Sequence, residues 1–306
     1  MRILITGSNG LIGSQLVEKL TTRSNEIFTI DNRNNRKLNN ESKNFFKLDL
    51  TKKKDFKNIK NVKIDVVIHL AAFLGVKKTE KNELKCLHEN ITSTKNILDF
   101  CVLRKIKKII FASSSEVYGD GYKNFINENF QTMPKSVYGI SKVTSEAYVR
   151  AYSKKYKLNY NIIRFFNVYG PGQKEEFVIP IFLKKIKKNQ NINLFGSGNQ
   201  LRAFCFVDDA VEGLCKVLFK GKKNETYNIG NNSEPIKIIN LAKKIKKIFS
   251  SNVLIKKIPF NKSDRLQSRE IFCRKPNIKK IQKDCNFIPK TDLESGLKKT
   301  FNDKSL

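Results

Sequence analysis

Apolar residues along this chain fall into two alternating patterns. Short runs closed by Gly, Asp, Asn or Ser read as strands: Ile3 to Ile5, EIFTID at 26–31, NFFKLDL at 44–50, VKIDVVIHLAA at 62–72, KKIIFASSS at 107–115 and YNIIRFF at 160–166. Between them the spacing turns helical. Leu11, Ile12, Leu16, Val17 and Leu20 share one face, a Lys-rich helix is expected up to about Lys60, another from about Leu87 to Lys105, and a third over 136–156. VKIDVVIHLAA is nearly all apolar, as a central parallel strand buried on both faces must be. Strand and helix in regular alternation predict an α/β protein with an open, doubly wound parallel sheet, a Rossmann fold, whose ligands sit beyond the carboxyl ends of the strands.

The turns at those ends carry the candidate chemistry. Gly7, Gly10 and Gly13 follow the first strand and open the first helix. In that setting glycines let backbone approach a pyrophosphate, with amides and the helix dipole aimed at it. Asp31 closes the second strand 24 residues after Gly7, about where a carboxylate meets the adenosine ribose. Its charge repels a 2′-phosphate and favours NAD, while Arg33 and Arg36 nearby keep NADP open. Ala71 and Ala72 allow a ligand close to the sheet edge, and His69 is expected to be a packed strand-end residue.

Ser114 ends the fifth strand, and Tyr138 and Lys142 lie four apart on the helix that follows. A Lys ammonium beside a phenol favours the phenolate, so Tyr138 is expected to titrate below its free value and to accept the proton of a substrate hydroxyl, with Ser114 hydrogen-bonding the same oxygen. Tyr is common enough and Lys abundant enough for such a pair to arise by chance, so its meaning depends on the glycine turn and the strands around it.

Composition narrows the picture. The 306 residues carry a formal charge of +32, which raises the question of nucleic acid. Only 11 of the 60 basic residues are Arg, however, and the Lys residues are spread over helix faces, as in KKIKK at 184–188 and 243–247. A solvated surface is the simpler account, and a nucleic-acid partner is disfavoured. Two His and six Cys without a C-x-x-C pair leave no expected zinc site and fit a reducing cytoplasm. No apolar run approaches the ~18 residues needed to span a bilayer, and no leader segment is expected.

TGSNGLIG, HLAA, SSSEVYG, YGISK and FFNVYGPG, in this order and spacing, resemble the extended short-chain dehydrogenase/reductases of the NAD-dependent nucleotide-sugar epimerase/dehydratase family. The likeness covers nearly the whole chain. It implies a first domain over 1–166, to which 203–230 returns, and a smaller nucleotide-sugar-binding domain over 167–306. It also implies that Gly7, Gly10 and Gly13 cradle NAD, that Asp31 binds the adenosine ribose, and that Asp49 and Leu50 contact adenine. Tyr138 would be the base, Lys142 would hold the nicotinamide ribose, and Ser114 would be the hydroxyl partner. Asn167, Phe177 and Val178 would line the substrate pocket, and Arg202 would bind the diphosphate, with Arg265, or Arg269 in the same loop, as a second phosphate contact. A homodimer through the helices near 88–105 and 136–156 is implied too, and Tyr148, Val149, Tyr152 and Tyr156 are either part of that face or core.

Ser115 and Glu116 bear on the reaction. Relatives that eliminate water carry Asp-Glu here, and a serine hydroxyl cannot replace the general acid, so 4,6-dehydration is disfavoured. Epimerisation through a keto intermediate, most simply at C4, is the first expectation. Decarboxylation of a nucleotide-sugar acid, in which Glu116 takes part, is the second.

Overall fold

The structure is a computed structural model and describes residues 1–23, 25–34, 44–59, 62–120, 124–262 and 269–303. The first half contains β1 (Arg2–Thr6), α1 (Leu11–Thr21), β2 (Glu26–Asp31), β3 (Phe45–Lys47), β4 (Val66–His69), α2 (Val76–Lys81), α3 (Glu83–Leu103), β5 (Lys108–Ser114), α4 (Val137–Tyr156) and β6 (Asn159–Phe165). There follow β7 (Val168–Tyr169), α5 (Val178–Lys187), β8 (Ile192–Phe195), β9 (Leu201–Arg202), β10 (Cys205–Phe206), α6 (Val207–Lys220) and β11 (Glu225–Ile229). The chain closes with β12 (Ile236–Lys237), α7 (Ile238–Ile248), β13 (Ile255–Ile258), β14 (Cys273–Arg274), α8 (Lys279–Cys285) and α9 (Leu293–Phe301).

Seven strands form one parallel sheet in the order β11-β6-β5-β4-β1-β2-β3. Successive side chains of its central strands enter different cores. Ile3, Ile5, Val66, Ile68 and Ile110 pack with Leu16, Val17 and Leu20 of α1, while Leu4, Val67, Ile109 and Phe111 pack on the opposite face with Ile97, Leu98 and Cys101 of α3. Both faces are therefore covered, which is why these strands read as continuous apolar runs rather than alternating ones. Each buried Ile or Leu side chain contributes roughly 1.5–3 kcal/mol of apolar burial. Parallel pairing in register, Thr6 opposite His69, His69 opposite Phe111 and Ser114 opposite Phe165, brings the ends of the strands to one rim. The late strand β11 pairs with β6 at the sheet edge, and α6 packs against α1.

Three expected elements differ. The third strand stops at Lys47, because Asp49 accepts hydrogen bonds from the amide and hydroxyl of Thr51 and turns the chain. The Lys-rich segment is a 3₁₀ helix over Lys53–Ile59, in which Ile59 is the buried residue, too narrow a stripe for an α-helix. α3 begins at Glu83, earlier than its apolar period suggests. Of the aromatic stripe on α4, Val149 is buried, Tyr148 and Tyr152 pack on the core, and the Tyr152 hydroxyl donates to Asp99 at 2.5 Å, whereas Tyr156 is exposed. Among the described residues no helix is long and apolar enough to cross a membrane, and no cluster of His, Cys, Asp or Glu could hold a metal ion. All six cysteines are free thiols.

Candidate active site

A cleft of about 1140 Å³ runs along the rim and is lined by Gly7, Asp31, Ala71, Ser114, Tyr138 and Arg202, among others. The glycine turn has no room for side chains. At Gly7 (φ +71°) a Cβ would lie 2.7 Å from the Ala71 amide nitrogen, and at Gly13 one would lie 2.2 Å from the Gly7 carbonyl oxygen. α1 starts just after Gly10 without a side-chain cap, so its N-terminus is open to an anion from the cleft. A dinucleotide pyrophosphate fits this cradle. The Asp31 carboxylate is buried and accepts from the Asn9 amide (3.0 Å), the Arg33 amide (3.0 Å) and Arg33 Nε (3.3 Å), which ties β2 to the glycine turn. Asp49 and Leu50 also border the cleft, and Asn96 donates to the Leu50 carbonyl. Arg36 lies outside the described residues.

Ser114, Tyr138 and Lys142 come together on this rim. Ser114 Oγ accepts the Glu116 amide at 3.2 Å. Lys142 Nζ donates to the Ala112 carbonyl at 2.8 Å and lies 5.7 Å from the centre of the Tyr138 ring. The expected depression of the Tyr138 phenol is not what this geometry produces. Burial raises its pKa, Glu116 adds to the rise, and Arg274 opposes it. Burial pushes Lys142 the other way, down to about 8. Desolvation is the leading cause at both groups. His69 is packed as expected: its Nδ1 lies 2.7 Å from Thr6 Oγ1, and burial, with Lys142, pushes it down to about 3, so it is neutral.

Farther along the cleft, Ser115 and Glu116 begin a 3₁₀ turn over Ser115–Tyr118. Glu116 Oε2 accepts from the Ser136 hydroxyl at 2.5 Å, and its Oε1 is 3.8 Å from Arg274 Nη1. Arg274 is 12% exposed, and its Nε is buried without a hydrogen-bond partner among the described residues. Asn167 takes a left-handed conformation (φ +39°) and donates to the Ala203 carbonyl. Phe177 and Val178 start α5 at the cleft wall. Arg202 pairs with Glu270 at 3.2 Å, and Arg269, also lining the cleft, pairs with Glu83 at 2.6 Å. Arg265 lies outside the described residues.

Arg274 and the hydroxyl of Ser136 are absent from the expected site. Ser136 is legible from sequence as a helix start, but not as a partner of Glu116. For Arg274 there was a signal, since arginine is scarce in a chain that uses lysine for its surface.

Doubly wound sheets bind dinucleotides at this rim, and the class that follows is a dinucleotide-dependent α/β enzyme. A model of the NAD dependent epimerase/dehydratase family matches residues 3–230, and the chain belongs to that family. It is similar to the UDP-N-acetyl-alpha-D-glucosaminuronate decarboxylase of Bacillus cytotoxicus, with 34% identity covering 98% of this chain and 96% of that protein. Among solved structures it resembles the UDP-glucose 4-epimerase of Thermotoga maritima with UDP-glucose, at TM-score 0.90 and 29% identity over 98% of this chain and 97% of the other. It also resembles the UDP-glucuronic acid 4-epimerase of Bacillus cereus in complex with UDP-glucuronic acid and NAD, at TM-score 0.88 and 27% identity over 99% and 98%.

Proposed function

We propose that the chain decarboxylates a nucleoside-diphosphate uronic acid by way of a 4-keto sugar. The observation that carries this reading is Arg274, a nearly buried guanidinium in the cleft with an unfilled donor. A buried donor left unmade is costly, and a planar carboxylate satisfies a guanidinium fork better than any sugar hydroxyl does. A C6 carboxylate is the group that would pair with this guanidinium, which would have to turn toward the cleft because Nε is buried here. The likeness to a uronate decarboxylase and to a structure holding UDP-glucuronic acid supports the same substrate class.

Gly7, Gly10 and Gly13 would hold the NAD pyrophosphate, Asp31 the adenosine ribose, Asp49, Leu50 and Ala71 the adenine side, and Lys142 the nicotinamide ribose. Arg202, with Arg269 as the second guanidinium, would take the sugar diphosphate, and Ser115, Asn167, Phe177 and Val178 would shape the remaining pocket. When bound, NAD supplies the acceptor and later the donor of a hydride at C4. Tyr138, which must first lose its own proton to water against its raised pKa, would as the phenolate remove the C4 hydroxyl proton, and Ser114 would hydrogen-bond that oxygen. The ketone makes the C6 carboxylate a β-keto acid. Its C5–C6 bond breaks, the electron pair moves into the C4 carbonyl, and carbon dioxide leaves. The resulting enolate oxygen faces Ser114 and the Tyr138 hydroxyl, C5 takes up a proton, and C4 is reduced again. The raised pKa of Tyr138 suits the later half of this sequence, in which a phenol must donate.

Arg274 thus reverses the order of the two reactions expected from sequence. Epimerisation remains the second reading, favoured by the likeness to the Thermotoga maritima structure, and it shares every step up to the ketone. Incubating the protein with UDP-glucuronate, UDP-N-acetylglucosaminuronate and UDP-glucose and weighing the products decides between them. Loss of carbon dioxide from a uronate is expected. An inverted sugar of unchanged mass would replace decarboxylation by epimerisation.

We infer a homodimer through α3 and α4, whose Leu84, Leu103, Ile140 and Tyr156 are exposed; light scattering would give the mass of one chain if this is wrong.

A further inference from the structure

Ser136 has two tasks in one hydroxyl. As the N-cap of α4 its Oγ accepts the Gly139 amide proton at 2.9 Å. The same Oγ lies 2.5 Å from Glu116 Oε2. An amide nitrogen can only donate, so the one hydroxyl proton of Ser136 is left for Glu116. The direction of the chain is therefore settled: Gly139 to Ser136 to Glu116. The two backbones are pressed together as well, since a Cβ on Gly139 would sit 2.9 Å from the Glu116 carbonyl oxygen. Around Glu116 stand Arg274 from β14, Tyr138 from α4 and Cys86 from α3, and burial keeps the last two uncharged.

We propose that Ser136 is a positioning residue, whose hydroxyl holds the Glu116 side chain turned to Arg274 and so keeps that guanidinium directed at the sugar. This rests on the reading that Glu116 and Arg274 serve the sugar chemistry.

Substitutions at 136 separate the two tasks. Glycine is nearly as good a helix start as serine, but it offers Glu116 no side-chain donor. Ser136→Thr keeps both tasks. Turnover is followed on whichever nucleotide sugar the wild-type protein converts and split into kcat and KM, together with the thermal midpoint. Ser136→Gly is expected to keep the midpoint within a few degrees and to lower kcat about tenfold with KM little changed, while Ser136→Thr stays close to wild type. Ser136→Ala removes the same donor and should give the same loss of kcat, which keeps the test alive if the glycine variant does not fold. A wild-type kcat in both the glycine and the alanine variants would overturn the proposal. If the wild-type protein releases no carbon dioxide, the decarboxylase reading fails on that observation alone, and the Ser136 effect is still read on the reaction that does occur.

Discussion

Glu146 and Glu116 each face an arginine, and the two pairs are finished to different degrees. Glu146 takes Arg164 Nη2 at 2.7 Å and Nε at 2.9 Å, accepts Ser113 Oγ at 2.6 Å, and receives Arg150 at 3.0 Å. Burial alone would raise its pKa, but the hydrogen bonds and charge of Arg164, with Ser113, hold the carboxyl below its ordinary value. Arg164 also donates to the Tyr118 hydroxyl. Glu116 and Arg274 remain 3.8 Å apart, with one arginine donor unused. A saturated buried pair holds elements together and has nothing left to offer a ligand. An unsaturated one at a cleft keeps a place for an oxygen that the protein does not supply.

The sharpest way to break this contrast is Glu146→Ala. It leaves Arg164 buried without its counter-charge and should cost about 3–5 kcal/mol of stability, read by chemical denaturation. A loss below about 1 kcal/mol would put the pair among surface-like contacts.

Lys142 refines the comparison, being a buried cation on the same helix that donates to a carbonyl rather than a carboxylate. Its pKa falls from 10.5 to about 8 on folding. Between those values the unfolded chain binds more protons, so stability should rise with pH across that window and level off above it, by about 3 kcal/mol in total. Other groups titrate there too, so the quantity to measure is the difference between wild type and Lys142→Met at pH 7 and near pH 10. A difference that does not change with pH would place the ammonium in water.

Arg274→Met should show the opposite profile to Glu146→Ala. The fold should change by less than about 1 kcal/mol while turnover of a uronate falls about 100-fold, equivalent to about 2.7 kcal/mol of transition-state stabilisation. An equal loss on UDP-glucose and UDP-glucuronate binding would mean that the guanidinium does not read the carboxylate.

The same contrast explains what could be read in advance. β1, β2, β4, β5 and β6 are legible because burial on both faces writes an unbroken apolar run. The glycine turn and the Ser114, Tyr138 and Lys142 rim follow from where those runs end. The short strands β7, β9, β10, β12 and β14 have two residues each, too few for any period to show. Arg274 becomes visible only when β14 pairs with β9 and sets Arg274 opposite Arg202, a contact across more than seventy positions. The Tyr138 phenol is hard to read for a related reason, since spacing reports its neighbour but not how far both groups are removed from water, and it is burial that raises the phenol.

The strand bearing Arg274 is held by backbone partners and by the Asp120 carboxylate, which accepts the Phe272 and Cys273 amides. The Arg274 carbonyl accepts from Ala203, the Phe272 carbonyl from Leu201, and the Lys275 carbonyl from Ile126. None of those bonds depends on which side chain stands at 274. If Arg274 reads the sugar as proposed, an exchange at that residue would retune which sugar the cleft accepts while the fold bears little of the consequence.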